Sequence, residues 1–416
     1  MDRFLIHGGN KLSGSVRVSG AKNAALPQIA AALLTPEPIV LKNVPELRDI
    51  DSMIQLLRHL GAEVKREGEL LEIKAVELSC VDAPYDLVRK MRASVVVLGP
   101  LLARAGETRV SQPGGCAIGA RPVDLHIAAM EHLGAEVRLE QGYIVAEARP
   151  LVGGEILFDK VTVTGTENAM MAAVLARGST KLFNCAMEPE VIDLGRMLQK
   201  MGAEIEGLGT PSISIEGVKS LHGTEHSIIP DRIEAGTYAV AGLITGGEVE
   251  VTDCDPEIMR SVLDKLTNCG ARVEVNQNSV TTRPSEIRSQ DVQTAPYPGF
   301  PTDMQAQYIA LMTQAQGSAV VTENIFENRF MHISELNRMG ADIHVDGKSA
   351  VIRGPSRLTG VGVMATDLRA SASLVLAALV AEGETVVNRV YHIDRGYSHI
   401  VRKLRALGAE IERISD

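Results

Sequence analysis

A signature of five residues, an apolar or thiol residue followed by Gly-Ala and the start of an alternating stretch, recurs six times along the 416 residues. LGAEV around Gly61 returns at Gly134, followed by MGAEI at Gly202, CGARV at Gly270, MGADI at Gly340 and LGAEI at Gly408. Successive glycines stand 68 to 73 residues apart, so six repeats of about 69 residues account for the chain. Each repeat reads as an Ala/Leu-rich helix, a Gly turn, a strand, a loop, an amphipathic helix, the Gly-Ala turn and a further strand. In the third, AMMAAVLA from Ala169 is the first helix, GSTKLFNC the turn and strand, EPEVIDLGRMLQKMG the second helix and AEIEGL the strand that leaves it. The Gly closing each second helix fits a C-terminal cap in the left-handed conformation.

The ends of the chain complement one another. Only eight residues follow Gly408, whereas the fifth repeat continues through VIRGPSRLTGVGVMATDLR from Val351, and LIHGGNKLSGSVRVSGAKN from Leu5 is similar to that stretch. The amino-terminal strands are therefore expected to complete the sixth repeat. This divides the chain into a three-repeat domain over residues 22–229 and a second made of 1–21 with 230–416, joined by two chain crossings that suit a hinge.

Hydrophobic residues at 45% and charged residues at 23% are ordinary globular values, which excludes disorder. Aromatics reach only 3%, with no Trp, so the core is expected to be aliphatic, and the composition argues against base stacking on aromatic platforms. A net charge of -10 argues against a general grip on nucleic acid or anionic membrane. Five cysteines without CxxC or zinc-ligand spacing point to reduced thiols in a cytoplasmic protein. MDRFLIHGG has no secretory h-region, and the longest apolar run, SASLVLAALVA from Ser371, is too short to span a bilayer.

Aligned on the Gly-Ala turn, the openings of the first helices are occupied by Lys22, Arg92, Asn168, Arg232, Asp303 and Arg369, from 34 to 42 residues before their glycines. A helix amino terminus favours anions, and cations there oppose the helix dipole. One such cation reads as a solvated surface charge; four at equivalent positions point to a bound polyanion that offsets the repulsion. Arg121, Arg329 and Arg395 form a second equivalent set, in the loops RPVDLH, ENRFMH and DRGYSH. Guanidinium groups bind phosphate and carboxylate bidentately, so a substrate carrying both suits these residues if the helix starts face one cleft.

The second repeat is longer than most, and its surplus is SQPGGCAIGARP from Ser111 to Pro122. Its glycines indicate a mobile loop with Cys116 in the middle. Near Arg121 that thiolate would be favoured, which makes Cys116 a candidate nucleophile or general acid/base, the alternative being an incidental surface thiol. The cysteines at 80, 185, 254 and 269 stand in strand-like or helix-end apolar contexts and read as buried, inert thiols. There is no GxxxxGK[ST] loop, no GxGxxG after a first strand, no HExxH and no Cys/His zinc set, so the chemistry is expected to run without those motifs.

SGAKNAALP, MRASVVVLGPL, PGGCAIGARPVDLH, PDRIEAGTY, FPTDMQAQ, FENRFMH, MATDLRASASLV and YHIDRGY closely resemble the enolpyruvyl transferase family, and within it the UDP-N-acetylglucosamine 1-carboxyvinyltransferases of bacterial cell-wall synthesis. The resemblance runs from end to end of the chain. It implies an inside-out α/β barrel: two domains of three repeats, helices inside and sheets outside, with the active site in the cleft between them. It also implies transfer of the enolpyruvyl group of phosphoenolpyruvate to the 3-hydroxyl of the sugar nucleotide through a tetrahedral ketal, with release of phosphate and with no cofactor or metal.

By the same resemblance Lys22, Arg121 and Arg395 would hold the phosphate, Arg329 and Arg369 would join that anion-binding set, and Arg92 would support the Cys loop side. Preorganised cations of this kind stabilise charge that shifts during reaction. Asn23 and Asp303 match positions that bind the sugar nucleotide, with Asp303 the base for its hydroxyl. Cys116 matches a loop cysteine implicated in proton transfer to the methylene carbon and in product release, and alkylated by fosfomycin. Asp367 matches an acidic residue linked to that loop. Uracil and diphosphate contacts would come from Arg121, Pro122, Asp124, Leu125, Thr162, Val163 and Thr164, with Phe326 nearby. The implied partners are the two small-molecule substrates, without nucleic acid or membrane insertion; oligomeric state is not predicted.

Two other readings compete. A related transferase acting on shikimate 3-phosphate shares the six-repeat architecture but lacks the Cys-bearing loop followed by RPVDLH. A non-enzymatic scaffold with a basic cleft has no call for a lone Cys in a Gly-rich loop.

Overall fold

The computed structural model describes residues 2–89, 91–112 and 123–415. They form two compact units, one of the described residues between Gly20 and Ile229, the other of the chain up to Ser19 and from Pro230 onward. Each unit holds three four-stranded sheets of the same pattern, in which the first pair of strands is parallel and the other two pairs are antiparallel.

In the Gly20–Ile229 unit the sheets run Thr224–Ser227, Ile39–Lys42, Leu70–Lys74, Glu63–Glu67; Asp82–Ala83, Glu107–Ser111, Tyr143–Glu147, Glu136–Glu140; and Glu155–Leu157, Ser179–Phe183, Ser212–Glu216, Glu204–Glu206. In the other they run Ser13–Arg17, Glu248–Thr252, Ser279–Arg283, Arg272–Val275; Val292–Gln293, Gly317–Thr322, Ser349–Gly354, Asp342–Asp346; and Gly362–Met364, Glu384–Asn388, Arg3–His7, Glu410–Ile414. The last strand of each repeat begins the next sheet. Each unit thereby closes on itself, with Thr224–Ser227 returning beside Ile39–Lys42 and Ser13–Arg17 lying beside Glu248–Thr252.

The strand sequences alternate as a one-sided sheet requires: in EVEVT, Val249 and Val251 are buried while Glu248 is exposed. The first helices do not alternate. Lys22–Ala31, Val163–Ala173, Arg232–Ile244, Gln305–Met312 and Ala370–Ala378 are buried on nearly every side. A helix apolar all round belongs in an interior, and within each unit these helices pack against one another. Their Ala and Gly content permits the close approach: a Cβ on Gly99, in the first helix of the second repeat, would sit 2.4 Å from the Asn168 carbonyl oxygen of Val163–Ala173. The second helices are amphipathic. In Pro189–Lys200, Leu194, Met197 and Leu198 face inward while Arg196 and Lys200 are exposed. Each unit is thus an inside-out α/β barrel, and the six repeat glycines that end the second helices all have positive φ, from 84° to 107°.

Two details differ from the sequence reading. The first helix of the third repeat starts at Val163, not near Ala169, with Thr162 as its N-cap, so Asn168 lies inside the helix. Cys185, Cys254 and Cys269 are buried, but Cys80 is only half-buried, its Sγ 3.8 Å from His59 Nε2. Burial pushes the thiols of Cys185 and Cys254 up to about 11 and also raises that of Cys269, which keeps them inert. Among the described residues, no helix is long and apolar enough to cross a membrane.

Candidate active site

In the unit built from both ends of the chain, the sequence-predicted residues gather around Asp303. It sits in a 3₁₀ turn, Thr302–Met304, just ahead of the Gln305–Met312 helix. Its Oδ1 accepts from Arg329 Nη2 at 2.6 Å, and its Oδ2 lies 3.6 Å from Arg369 Nε. The side chains of Arg329 and Arg369 are only 5% and 2% exposed, whereas that of Asp303 is 24% exposed. The carboxylate therefore forms the accessible tip of a buried cationic mount.

Both arginines are held from behind. Arg329 Nη1 donates to Thr302 Oγ1 at 2.8 Å, and that hydroxyl donates to Glu323 Oε2 at 2.7 Å. Buried Glu323 also accepts the backbone N–H groups of Ile325 and Phe326, which fixes the loop whose Phe326 ring lies 5.2 Å from the Arg329 guanidinium. Arg369 donates to Asp231 Oδ2 at 2.8 Å and to the Gly396 carbonyl at 2.9 Å, next to Arg395. Burial works against the charge on each guanidinium. Asp303 and Asp367 outweigh it at Arg329, and Asp231 chiefly does so at Arg369, so both pKa values rise above the ordinary arginine value. In this structure the anions that Arg329 and Arg369 meet are the protein's own carboxylates, Asp303 and Asp231.

Asp367 serves the backbone: its Oδ1 accepts the N–H groups of Arg369 and Ala370 at 2.8 Å each, at the start of the Ala370–Ala378 helix. Fully buried His332 lies in the electrostatic reach of Asp367 and Arg329. Burial, the largest effect, lowers its pKa to about 4 and keeps the ring neutral. Arg395 is half-buried at the end of the Val390–Arg395 turn. Arg232 opens its helix with its guanidinium 5.7 Å from the Tyr297 ring.

In the Gly20–Ile229 unit the predicted residues cluster at helix starts. Lys22 is the first residue of Lys22–Ala31 and is buried, its Nζ 3.3 Å from Asp49 Oδ2. Here too a carboxylate offsets part of the repulsion that a cation meets at a helix amino terminus. Asn23 follows and is half-buried, and Arg92 opens a 3₁₀ segment, Arg92–Val97, that packs against the Lys22–Ala31 helix. Thr162 caps Val163–Ala173 by accepting Gly165 N–H at 3.2 Å. Thr164 Oγ1 lies 3.3 Å from the Nε2 of His126, the third residue of the helix that Asp124 and Leu125 begin. The other His126 nitrogen meets Asn168 Nδ2 at 3.0 Å, and Asn168 also bonds Val95 O and Gly99 N. Asn168 thus ties three helical segments together rather than joining a cationic set. Cys116, Arg121 and Pro122 lie outside the described residues.

Sequence reasoning missed Asp49, Asp231, Glu323 and His332. Asp231 had a signal, since an Asp immediately before a helix-forming run is a preferred N-cap. Glu323 had none, because its partners are assembled by the fold.

The sequence profile of the EPSP synthase (3-phosphoshikimate 1-carboxyvinyltransferase) family matches residues 6–404, and the chain belongs to that family. Within it, similar relatives carry a more particular name. The UDP-N-acetylglucosamine 1-carboxyvinyltransferase of Koribacter versatilis is 58% identical, over 100% of this chain and 97% of its own length. That of Solibacter usitatus is also 58% identical, over 100% of both chains. Among solved structures, the enolpyruvyl transferase NikO from Streptomyces tendae aligns with a TM-score of 0.90 at 28% identity, covering 100% of this chain and 99% of its own.

Proposed function

We propose that this protein transfers the enolpyruvyl group of phosphoenolpyruvate to the 3-hydroxyl of UDP-N-acetylglucosamine with release of phosphate, the first committed step of peptidoglycan synthesis. The observation that carries this reading is 58% identity over the full chain to relatives named for that activity. The shikimate-phosphate alternative is disfavoured by those names and by the loop PGGCAIGARPVDLH.

In the addition step a proton joins the methylene carbon of phosphoenolpyruvate, and the sugar oxygen bonds to the carbon beside it as the hydroxyl proton leaves. Asp303, held by Arg329 and Arg369 and partly exposed, receives that proton. Cys116 supplies the proton to the methylene carbon and is the thiol that fosfomycin alkylates. In the elimination step the new methyl group gives a proton back to the site, the carbon–carbon double bond re-forms, and the carbon–oxygen bond to the phosphate breaks with its electron pair leaving on the phosphate. Lys22, Arg121 and Arg395 hold the phosphate through both steps, with Arg92 beside the Cys loop. Asp367 anchors the helix that presents Arg369. Asn23, Pro122, Asp124, Leu125, Thr162, Val163, Thr164 and Phe326 recognise the sugar nucleotide.

The domain expected over residues 22–229, which is the Gly20–Ile229 unit, carries the Cys loop, and the unit built from both ends of the chain is its partner domain. The enzyme works in the cytoplasm, in keeping with the unbridged Cys80, Cys185, Cys254 and Cys269.

Phosphate release with phosphoenolpyruvate and either acceptor tests the reading. Release is expected with the sugar nucleotide and not with shikimate 3-phosphate; no release with the sugar nucleotide would sink it.

A further inference from the structure

We propose that Asp231 is a positioning residue for this reaction, tying the place where the chain leaves its unit to the Asp303 carboxylate through Arg369; the proposal rests on Asp303 being the base. The chain leaves the unit at Ser19 and returns at Pro230. Ser19 is clamped there. Its N–H donates to Glu234 Oε2 at 2.7 Å, its hydroxyl accepts from Lys403 Nζ at 2.8 Å, and its carbonyl accepts from Asp231 N–H at 2.9 Å. Lys403 also donates to Glu234 Oε1 at 2.7 Å, closing a buried ion pair around the crossing.

Asp231 divides its two oxygens. Oδ1 accepts the N–H groups of Ile233 and Glu234 at 2.9 and 3.0 Å and caps the Arg232–Ile244 helix. Oδ2 accepts from Arg369 Nη2 at 2.8 Å, and Arg369 in turn points Nε at Asp303 Oδ2, 3.6 Å away. A cap needs only one acceptor, which Asn or Ser supplies as well. The second oxygen is what a cap does not explain. It shares Arg369 between two carboxylates, so the pull of Arg369 on Asp303 depends on Asp231, and Asp231 is fixed to Ser19. Asp231 and Arg369 are 4% and 2% exposed, so both side chains are enclosed by packed protein. Misplacing a reacting carboxylate by a fraction of an ångström lowers turnover more than binding.

Asp231→Asn keeps an oxygen for the cap and removes the charge facing Arg369. It is expected to fold, to lose about tenfold in kcat, and to keep KM for both substrates within about threefold. In a double-mutant cycle with Arg369→Lys, which lacks the separate Nη2 and Nε that face Asp231 and Asp303, Asp231→Asn should lower kcat no further, because the two act as one unit. The Glu234→Gln, Lys403→Met double variant loosens Ser19 without touching the Asp231 side chain, and a smaller kcat loss is expected. Native kcat in Asp231→Asn, or additive losses in the cycle, would overturn the proposal. Should Asp231→Asn not fold, native kcat in the folded Glu234/Lys403 variant overturns it instead. Asp303→Asn keeps the two readings apart: native turnover there removes the base, whereas loss there with native turnover in Asp231→Asn removes only the coupling.

Discussion

Glu167 lies in the middle of the buried Val163–Ala173 helix, 1% exposed, and its Oε1 has no hydrogen-bond partner among the described residues. Burial first, then the nearby carboxylates of Glu190 and Glu188, raise its pKa well above the ordinary 4.5. Below that ordinary value the folded and unfolded chains both hold the proton. As pH rises through it, the unfolded chain releases the proton while the folded chain keeps it, so stability falls with rising pH. Glu167→Gln cannot ionise in either state. Relative to the native chain it should gain stability as pH rises, by at most about 1.4 kcal/mol per pH unit. Urea unfolding at about pH 4 and about pH 8 measures this; a gain equal at both would mean that Glu167 is ionised in the fold. At this scale the sequence was half legible. Charged residues such as Lys22, Asp303 and Arg369 announce themselves at helix starts, but their partners Asp49 and Asp231 come from other segments, and Glu167 reads as an unremarked Glu in TENAM.

Helices and strands were legible because their periods are written into the side chains, and the repeat glycines because each ends a helix. The third repeat was misaligned because loop lengths differ between repeats, so counting back from Gly202 lands inside the helix rather than at Thr162. The glycines themselves are not equal. An added Cβ at Gly408 would meet nothing within 4 Å, whereas at Gly61 it would meet Ser79 N and Oγ at 2.7 Å. Both have φ near 100°, so both alanine variants carry the backbone penalty of roughly 1–2 kcal/mol. Gly408→Ala should cost only that, while Gly61→Ala must also displace the backbone at Ser79 and lose more. Thermal unfolding of the two variants decides, and equal losses would show that the Ser79 segment yields freely.

For the whole molecule, the resemblance between the amino-terminal stretch and the fifth repeat was legible, and with it the expectation that the amino-terminal strands complete the sixth repeat; the register was not, because pairing between residues about four hundred apart leaves no local mark. Arg3–His7 does not sit at an edge. It lies between Glu384–Asn388 and Glu410–Ile414, with Phe4 and Ile6 fully buried, and Ser13–Arg17 then pairs with Glu248–Thr252 in the next sheet. Removing the chain up to Ser19 takes a central strand from one sheet and an edge strand from another. It also takes the partner of the Glu234–Lys403 clamp. The truncated chain should lose the cooperative unfolding of the unit that starts again at Pro230, while the Gly20–Ile229 unit, which lacks no strand, keeps its own transition. Asp2 pairs with Arg413 at 2.9 Å and accepts from Ser415 Oγ at 2.9 Å, so the two ends of the chain meet. Moving residues 2–19 to follow Ser415 through a short linker, with the chain opened before Gly20, should therefore restore the lost transition. Calorimetry and limited proteolysis of the native, truncated and permuted chains test both halves of the argument. A truncated chain that unfolds like the native one would show that the amino-terminal strands decorate the fold rather than complete it.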